Sequence, residues 1–172
     1  MSRHYLPRWL THLLALSAAH RYYPLVVAGI ALVATFTFSF PFALALIPAV
    51  LIAPRRWVAL GVLCGIASGC GAALLVEVFH WLGEEFVVAR YPELLQVDTW
   101  QWASDWMRRY GLIALLLIAA SPMPQTPALL FCALAGVSIP GVLTAVGFGK
   151  TAKYVFLAWA TVRYPGRFIN VR

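Results

Sequence analysis

Charge is scarce in this chain. Asp, Glu, Lys and Arg make up 11% of its 172 residues, and only six are acidic. A soluble domain carries about 25% charged and roughly 45–50% apolar residues. Here apolar residues reach 62%. So much apolar surface cannot be hidden inside a body of this size, and it equally excludes a disordered chain. Cysteine is scarce too. Cys64, Cys70 and Cys132 are odd in number, lie inside apolar stretches and lack metal-ligand spacing. That excludes a disulfide framework or zinc site and leaves small packing residues. Soluble-enzyme signatures are missing: no Gly-rich phosphate loop, no H-E-x-x-H, no G-x-S-x-G. Glu84-Glu85 and Arg90 are one residue too far apart for the E-E-x-x-x-R of intramembrane proteases, and no histidine follows His80. The expectation is a non-enzymatic protein with no cofactor.

What is present is a series of long uncharged runs separated by basic residues. The net charge is +7. The arginines and lysines punctuate apolar segments rather than clustering on a polar face, so they read as topology determinants and not as a nucleic-acid surface. No A-x-A-like cleavage site follows a short apolar region in signal-peptide fashion, so the whole chain is taken as mature. His4, His12 and His20 lie in a basic N-terminal segment and read as solvated interfacial residues. Haem ligation by His12 and His20, eight apart, is the sharper alternative.

Residues 22–54 carry no charge over 33 positions. One straight helix of that length would measure about 50 Å against a hydrocarbon core of about 30 Å. Pro24, Pro41, Pro48 and Pro54 interrupt the run, and arginine flanks it at Arg21 and at Arg55–Arg56. A first proline-broken, re-entrant hairpin with its tip at Pro41 fits better, and such a form is tolerated where protein or a wet cavity surrounds it. Residues 57–82 form a full span. Its Gly61, Gly65 and Gly69 recur at four-residue spacing and line one face for close backbone approach. Residues 84–109 hold most of the acids and Trp100, Trp102 and Trp106, the pattern of an amphipathic helix lying at the headgroup boundary. Residues 110–138 begin a second uncharged run that continues to Gly149, 40 positions in all. The prolines Pro122, Pro124 and Pro127 mark a second hairpin tip. A last spanning helix covers 140–162, followed by Arg163, Arg167 and Arg172.

The fold class is therefore an all-α integral membrane protein. Two proline-broken hairpins plus spanning helices form a pseudo-inverted repeat, with an interfacial helix between them. Paired interrupted segments in two halves point to a transporter with a site at the midplane. The other reading is that the prolines only kink two long helices.

Lys150 and Lys153 are the residues most in need of explanation. They are three apart, share a face, and lie near the middle of the last span. A lysine at the bilayer centre costs roughly 2.5–3.5 kcal/mol, so two together call for a polar cavity, a carboxylate or an anion. The functional reading is a cationic clamp for a lipid phosphate; the plain one is that the membrane helix ends at Gly149. Glu77 is the one acid within a span, and either pairs with a lysine or sits at the outer headgroups.

The second half carries a further signal. Trp106-Met-Arg-Arg-Tyr110-Gly111, Leu115-Leu-Leu, the tip Ser121-Pro-Met-Pro124-Gln125-Thr-Pro127, Ala135-Gly136, and Gly149-Lys150-Thr-Ala-Lys153-Tyr154 stand in an order that resembles the DedA-like superfamily. This is the VTT or SNARE-associated-Golgi-protein superfamily, and the small YqaA-like branch is the nearest likeness. The similarity covers roughly residues 57–160. It implies two facing re-entrant hairpins and lipid transport: recycling of undecaprenyl phosphate across the inner membrane in bacterial members, phospholipid scrambling in eukaryotic ones. The family's basic motif carries over onto Lys150 and Lys153, and its tip prolines onto Pro124 and Pro127. The chain departs from the family where many members place an arginine and acids. Ser121 and Leu129 stand at two of those positions, and Phe42 to Ile47 holds no acid.

The expected function is a flippase or scramblase for an anionic lipid headgroup in the bacterial inner membrane, multi-pass with both termini cytoplasmic. The partners are membrane lipids, undecaprenyl phosphate or phospholipid, and no nucleic acid; self-association is left open. Lys150, Lys153 and Tyr154 would bind the substrate, with Gln125 and Ser121 as hydrogen-bonding groups and Glu77 as counter-charge. One alternative is a structural or assembly protein that binds a partner through the Gly61–Gly65–Gly69 face; another is an ion or small-solute carrier.

Overall fold

The computed structural model describes residues 21–37, 42–82, 105, 109–123 and 125–165, and every regular element among them is helical. The expected tips Pro41 and Pro124, the N-terminal histidines and nearly all of the expected interfacial segment 84–109 lie outside the described residues.

Six α-helices follow one another among the described residues. Helix α1 is Tyr23–Thr37 and α2 is Ala43–Ile52. A 3₁₀ turn, Pro54–Arg56, leads into α3, Trp57–Leu82. Helices α4, Leu112–Ala120, and α5, Thr126–Leu134, are short, and α6 runs Ile139–Arg163. Proline and glycine set these limits. Prolines stand in the first turns of α5 and α6, where the missing N–H has no partner to lose. Helix α4 stops at Ser121, whose extended backbone (φ −82°, ψ 170°) suits the residue before Pro122. Helix α5 ends on Gly136 at φ +64°, and Val137 N–H reaches back to Cys132 O at 2.9 Å, a left-handed cap that needs no Cβ. Pro127 is thus corrected from a hairpin tip to a helix starter. Ser121, Pro122, Met123 and Gln125 lie between α4 and α5 instead.

At 1.5 Å per residue α3 and α6 are about 37–39 Å long, whereas α4 and α5 are each about 14 Å. Including its 3₁₀ start, α3 is the one described helix both long and apolar enough to cross a membrane, with a mean hydropathy of 2.1 in its best window. Helix α6 is nearly as long, but Lys150 and Lys153 interrupt its apolar sequence.

The long helices form the centre of the body and run antiparallel. A methyl group added at Gly61 would sit 2.8 Å from Val155 Cα; at Gly69, 2.8 Å from Gly147 Cα; at Gly65 it would overlap Thr151. The backbones touch along this seam because the glycines leave room. The Gly61–Gly65–Gly69 face is therefore filled by the chain's own α6 and is not a surface free for a partner.

The short helices flank this centre by a crossed rule. Helix α1 packs on α3 and α2 on α6; α4 packs on α6 and α5 on α3. The first arm of each half joins its own long helix, and the second arm joins the other half's. The contacts repeat in detail. A methyl at Gly71 of α3 would meet Leu32 O (2.7 Å) and Thr35 Cβ (3.3 Å); one at Gly149 of α6 would meet Leu116 O (2.5 Å) and Ala119 Cβ (3.0 Å). Residues 32 and 116, like 35 and 119, are 84 apart; 71 and 149 are 78 apart, as are the touching pair Gly69 and Gly147. The buried Ala45, Leu46, Ala49 and Val50 of α2 match the buried Ala128, Leu129, Cys132 and Ala133 of α5, each 83 apart. The two sets of three helices thus share one packing pattern, with Gly69 against Gly147 as the equivalent pair between them. Two apolar cores result, one from α1, α2 and the first part of α3 with Tyr154 and Ala158, the other from α4, α5 and the last part of α3 with the start of α6.

The outside is apolar as well. Val58, Ile66, Leu74 and Val78 on α3, and Phe148, Phe156 and Trp159 on α6, are exposed along the whole length. Apart from Lys150 and Lys153, charge on the described helices collects at the ends. Tyr23 shares a core with Leu60 and Cys64, and Thr35 lies near Gly71, so α1 runs parallel to α3. That brings Arg21, Arg55, Arg56 and Arg163 to one end. Leu112 meets Gly141 and Leu116 meets Gly149, so α4 runs parallel to α6, which brings Arg109 to the other end with Glu77 and His80.

Candidate functional site

Lys150 and Lys153 lie near the midpoint of α6. Lys150 is about 20 Å along the helix from Arg163 and about 17 Å from Ile139. Neither lysine reaches an end. Lys150 is only 8% exposed, and its Nζ donates a hydrogen bond to Thr35 Oγ1, 3.1 Å away on the last turn of α1. Lys153 is half-buried, and its Nζ donates to Ser121 O at 2.6 Å, just past the end of α4. The two ammonium groups therefore reach the ends of the first arms of both halves. Each approaches the carbonyl end of a helix, where a positive charge is favoured.

Around them is the polar belt between the two cores. Tyr154, one turn beyond Lys150, is 3% exposed and stacks obliquely on Phe42 at the start of α2, ring centres 5.4 Å apart. Ser68 of α3 is fully buried; it faces the Tyr154 hydroxyl, yet its Oγ makes no hydrogen bond of good geometry among the described residues. Thr35 is 5% exposed. The described residues thus supply the site with two cations and several hydroxyls. No carboxylate among them lies within ion-pair distance of either lysine.

The expected site residues divide accordingly. Lys150, Lys153, Tyr154 and Ser121 come together. Ser121 does so through its backbone carbonyl, because its hydroxyl donates to Ile118 O (2.9 Å) and accepts from Met123 N–H (3.2 Å). Gln125 caps the start of α5 by position, half-buried, and its side chain bonds neither lysine. Glu77 is corrected. It is exposed and lines a shallow cleft with His80, Trp81 and residues 136–139, where α6 begins. In the antiparallel register it faces residue 139, about 17 Å along α6 from Lys150, too far to serve as a counter-charge. Thr35 and Ser68 are the polar residues that sequence reasoning missed. Each is a lone hydroxyl in an apolar run and carries no spacing signal.

Cys64 and Cys132 are buried and Cys70 half-buried, all as free thiols, in keeping with packing roles. No group of three metal-ligating side chains occurs among the described residues. No family model, curated protein or solved structure matches this chain.

Proposed function

We propose that this chain is a multi-pass protein of the bacterial inner membrane, of DedA-like type, that carries a phosphate-bearing lipid headgroup between the leaflets as a flippase or scramblase. In this reading α3 and α6 span the bilayer. The α1–α2 pair enters from the arginine-rich side to half depth and returns, and the α4–α5 pair does the same from the opposite side. The arginine-rich end faces the cytoplasm, as the preference of Lys and Arg for that side requires, and it carries both the start of α1 and the end of α6.

One observation carries the proposal: Lys150 and Lys153, halfway along α6, reach the inner ends of the two short-helix pairs. Charges at that depth are retained where they act on a substrate path. A phosphate drawn to the two ammonium groups would cross along the seam between the halves, while its acyl or prenyl tails stay in the surrounding lipid. The apolar exterior suits that arrangement.

The experiment is reconstitution into phosphatidylcholine vesicles with a trace of fluorescent lipid phosphate, whose access to an external quencher reports transbilayer movement. Wild type should speed movement, and the Lys150→Ala/Lys153→Ala double variant should lose most of that effect. Equal rates for both proteins would remove the proposal. A rate that follows an added ion or small solute instead of the headgroup would favour a carrier.

A further inference from the structure

We infer that Thr35 and Ser68 are ligands for the tetrahedral oxyanion that Lys150 and Lys153 attract, so that one site joins hydroxyls of the first half to cations of the second. The inference rests on the anion-binding reading above and adds the groups that orient the phosphate oxygens. The first ground is hydrogen bonding. Thr37, Thr144 and Thr161 each donate to the carbonyl four residues earlier in their helices, the usual habit of a helical threonine. Thr35 makes no such bond. Its Oγ1 accepts from Lys150, and its own proton meets no acceptor among the described residues. Ser68 Oγ, fully buried and facing the Tyr154 hydroxyl, makes no hydrogen bond of good geometry there. Buried polar groups are nearly always satisfied, and a persistent exception calls for a ligand or water.

The second ground is the duplication. The equivalents of Thr35 and Ser68 in the second half are Ala119 and Val146, both buried and apolar; those of Lys150 and Lys153 in the first half are Ala72 and Leu75. The two halves thus depart from their shared apolar pattern on either side of one interface, with donors in both cases. Thr35 lies beside Gly71, one turn beyond Ser68 on α3, and Tyr154 lies one turn beyond Lys150 on α6, so the four groups occupy adjacent turns. Lys153 completes the set on leaving the Ser121 carbonyl, whose lone pairs would repel an anion. The ligand class is a phosphate ester or free phosphate, which present the same oxygens.

The test uses the full chain in phosphatidylcholine nanodiscs, titrated separately with inorganic phosphate and with phosphatidic acid, and reads apparent affinity from the ligand-induced rise in melting midpoint. Ser68→Ala should leave the ligand-free midpoint unchanged or higher while weakening affinity about tenfold, the loss expected for one hydrogen bond to a charged group. Thr35→Val should weaken it by a similar factor, and Thr35→Ser should restore it. A loss seen with either probe supports the inference and identifies the source of the phosphate. If Lys150→Met/Lys153→Met abolishes binding while Ser68→Ala and Thr35→Val stay within twofold of wild type, this inference falls alone. If the lysine variant binds like wild type, or neither probe binds, the anion-binding reading falls with it.

Discussion

Replacing Gly65 by alanine should destabilise the protein although alanine is the better helix former. The new methyl would overlap the Thr151 hydroxyl and lie 2.5 Å from Thr151 Cα and 2.6 Å from its backbone nitrogen. Carbon atoms attract best near 3.5–4.0 Å, so α3 and α6 would have to separate by about 1 Å. The obstruction includes backbone, which cannot rotate away as a side-chain tip can. Overpacking of this kind costs about 1–3 kcal/mol, and the upper part of that range applies because the Gly61 and Gly69 contacts on the same seam open together. Alanine's helix preference offsets about 1 kcal/mol, leaving a net loss of about 1–2 kcal/mol. For a chain of this size each kcal/mol moves the melting midpoint by about 2–4 °C. A fall of about 2–8 °C is therefore expected in detergent, followed by circular dichroism or by loss of the monodisperse peak on heating. Gly29→Ala is the control. It is exposed on α1 with nothing within 4 Å of the added methyl, so its midpoint should rise slightly. A Gly65→Ala protein that melts at or above wild type would refute the backbone-to-backbone seam on which the architecture depends.

Other expectations follow from the same geometry. Ser121→Ala should leave vesicle transport within about twofold of wild type, because the Ser121 carbonyl, not its hydroxyl, holds Lys153; a loss as large as that of the lysine variants would contradict this assignment. Glu77→Gln should likewise leave transport unchanged, since the carboxylate lies about 17 Å along α6 from Lys150; abolished transport would show that the acid acts on the path. An apolar maleimide should label Cys70 well ahead of Cys64 and Cys132 in the folded protein, as read by mass spectrometry of the digested chain, because only Cys70 is partly exposed; equal labelling of the three would contradict the packing of both cores.

Much of the helix layout is legible in the sequence. A helix occupies 57–82 as α3, and α6 extends one residue beyond 140–162 at either end; Pro54 with Arg55 and Arg56 marks the start of α3, and Pro140 and Arg163 mark the limits of α6. The two short-helix pairs fall inside the expected hairpin stretches, since runs too long for one span and broken by proline leave few alternatives. Pro127 was misread because proline is equally at home in a turn and in the first turn of a helix. Gln125 and Glu77 were drawn towards the site by polarity alone, and polarity in one dimension does not reveal the register of α3 against α6. Thr35 is 115 residues from Lys150 in sequence, and nothing in the apolar run around it advertises the contact. The sequence offers a repeated layout of prolines and long apolar runs; the packing adds matched burial at fixed offsets, residues 45–50 against 128–133, without matching residues.

In the proposed arrangement the turn of α6 bearing Lys150 and Lys153 lies at mid-depth in a bilayer, between the inner ends of the two short-helix pairs. Phe148, 70% exposed and two residues from Lys150, offers a direct gauge of that depth. A spin label at Phe148→Cys, in a background without the three native cysteines, should show the greatest oxygen access and the least access to a water-soluble nickel complex. Labels at Val58→Cys and Trp81→Cys should report the two interfaces. High nickel access at position 148, equal to that at position 81, would place the lysine turn in water or among headgroups and contradict the account.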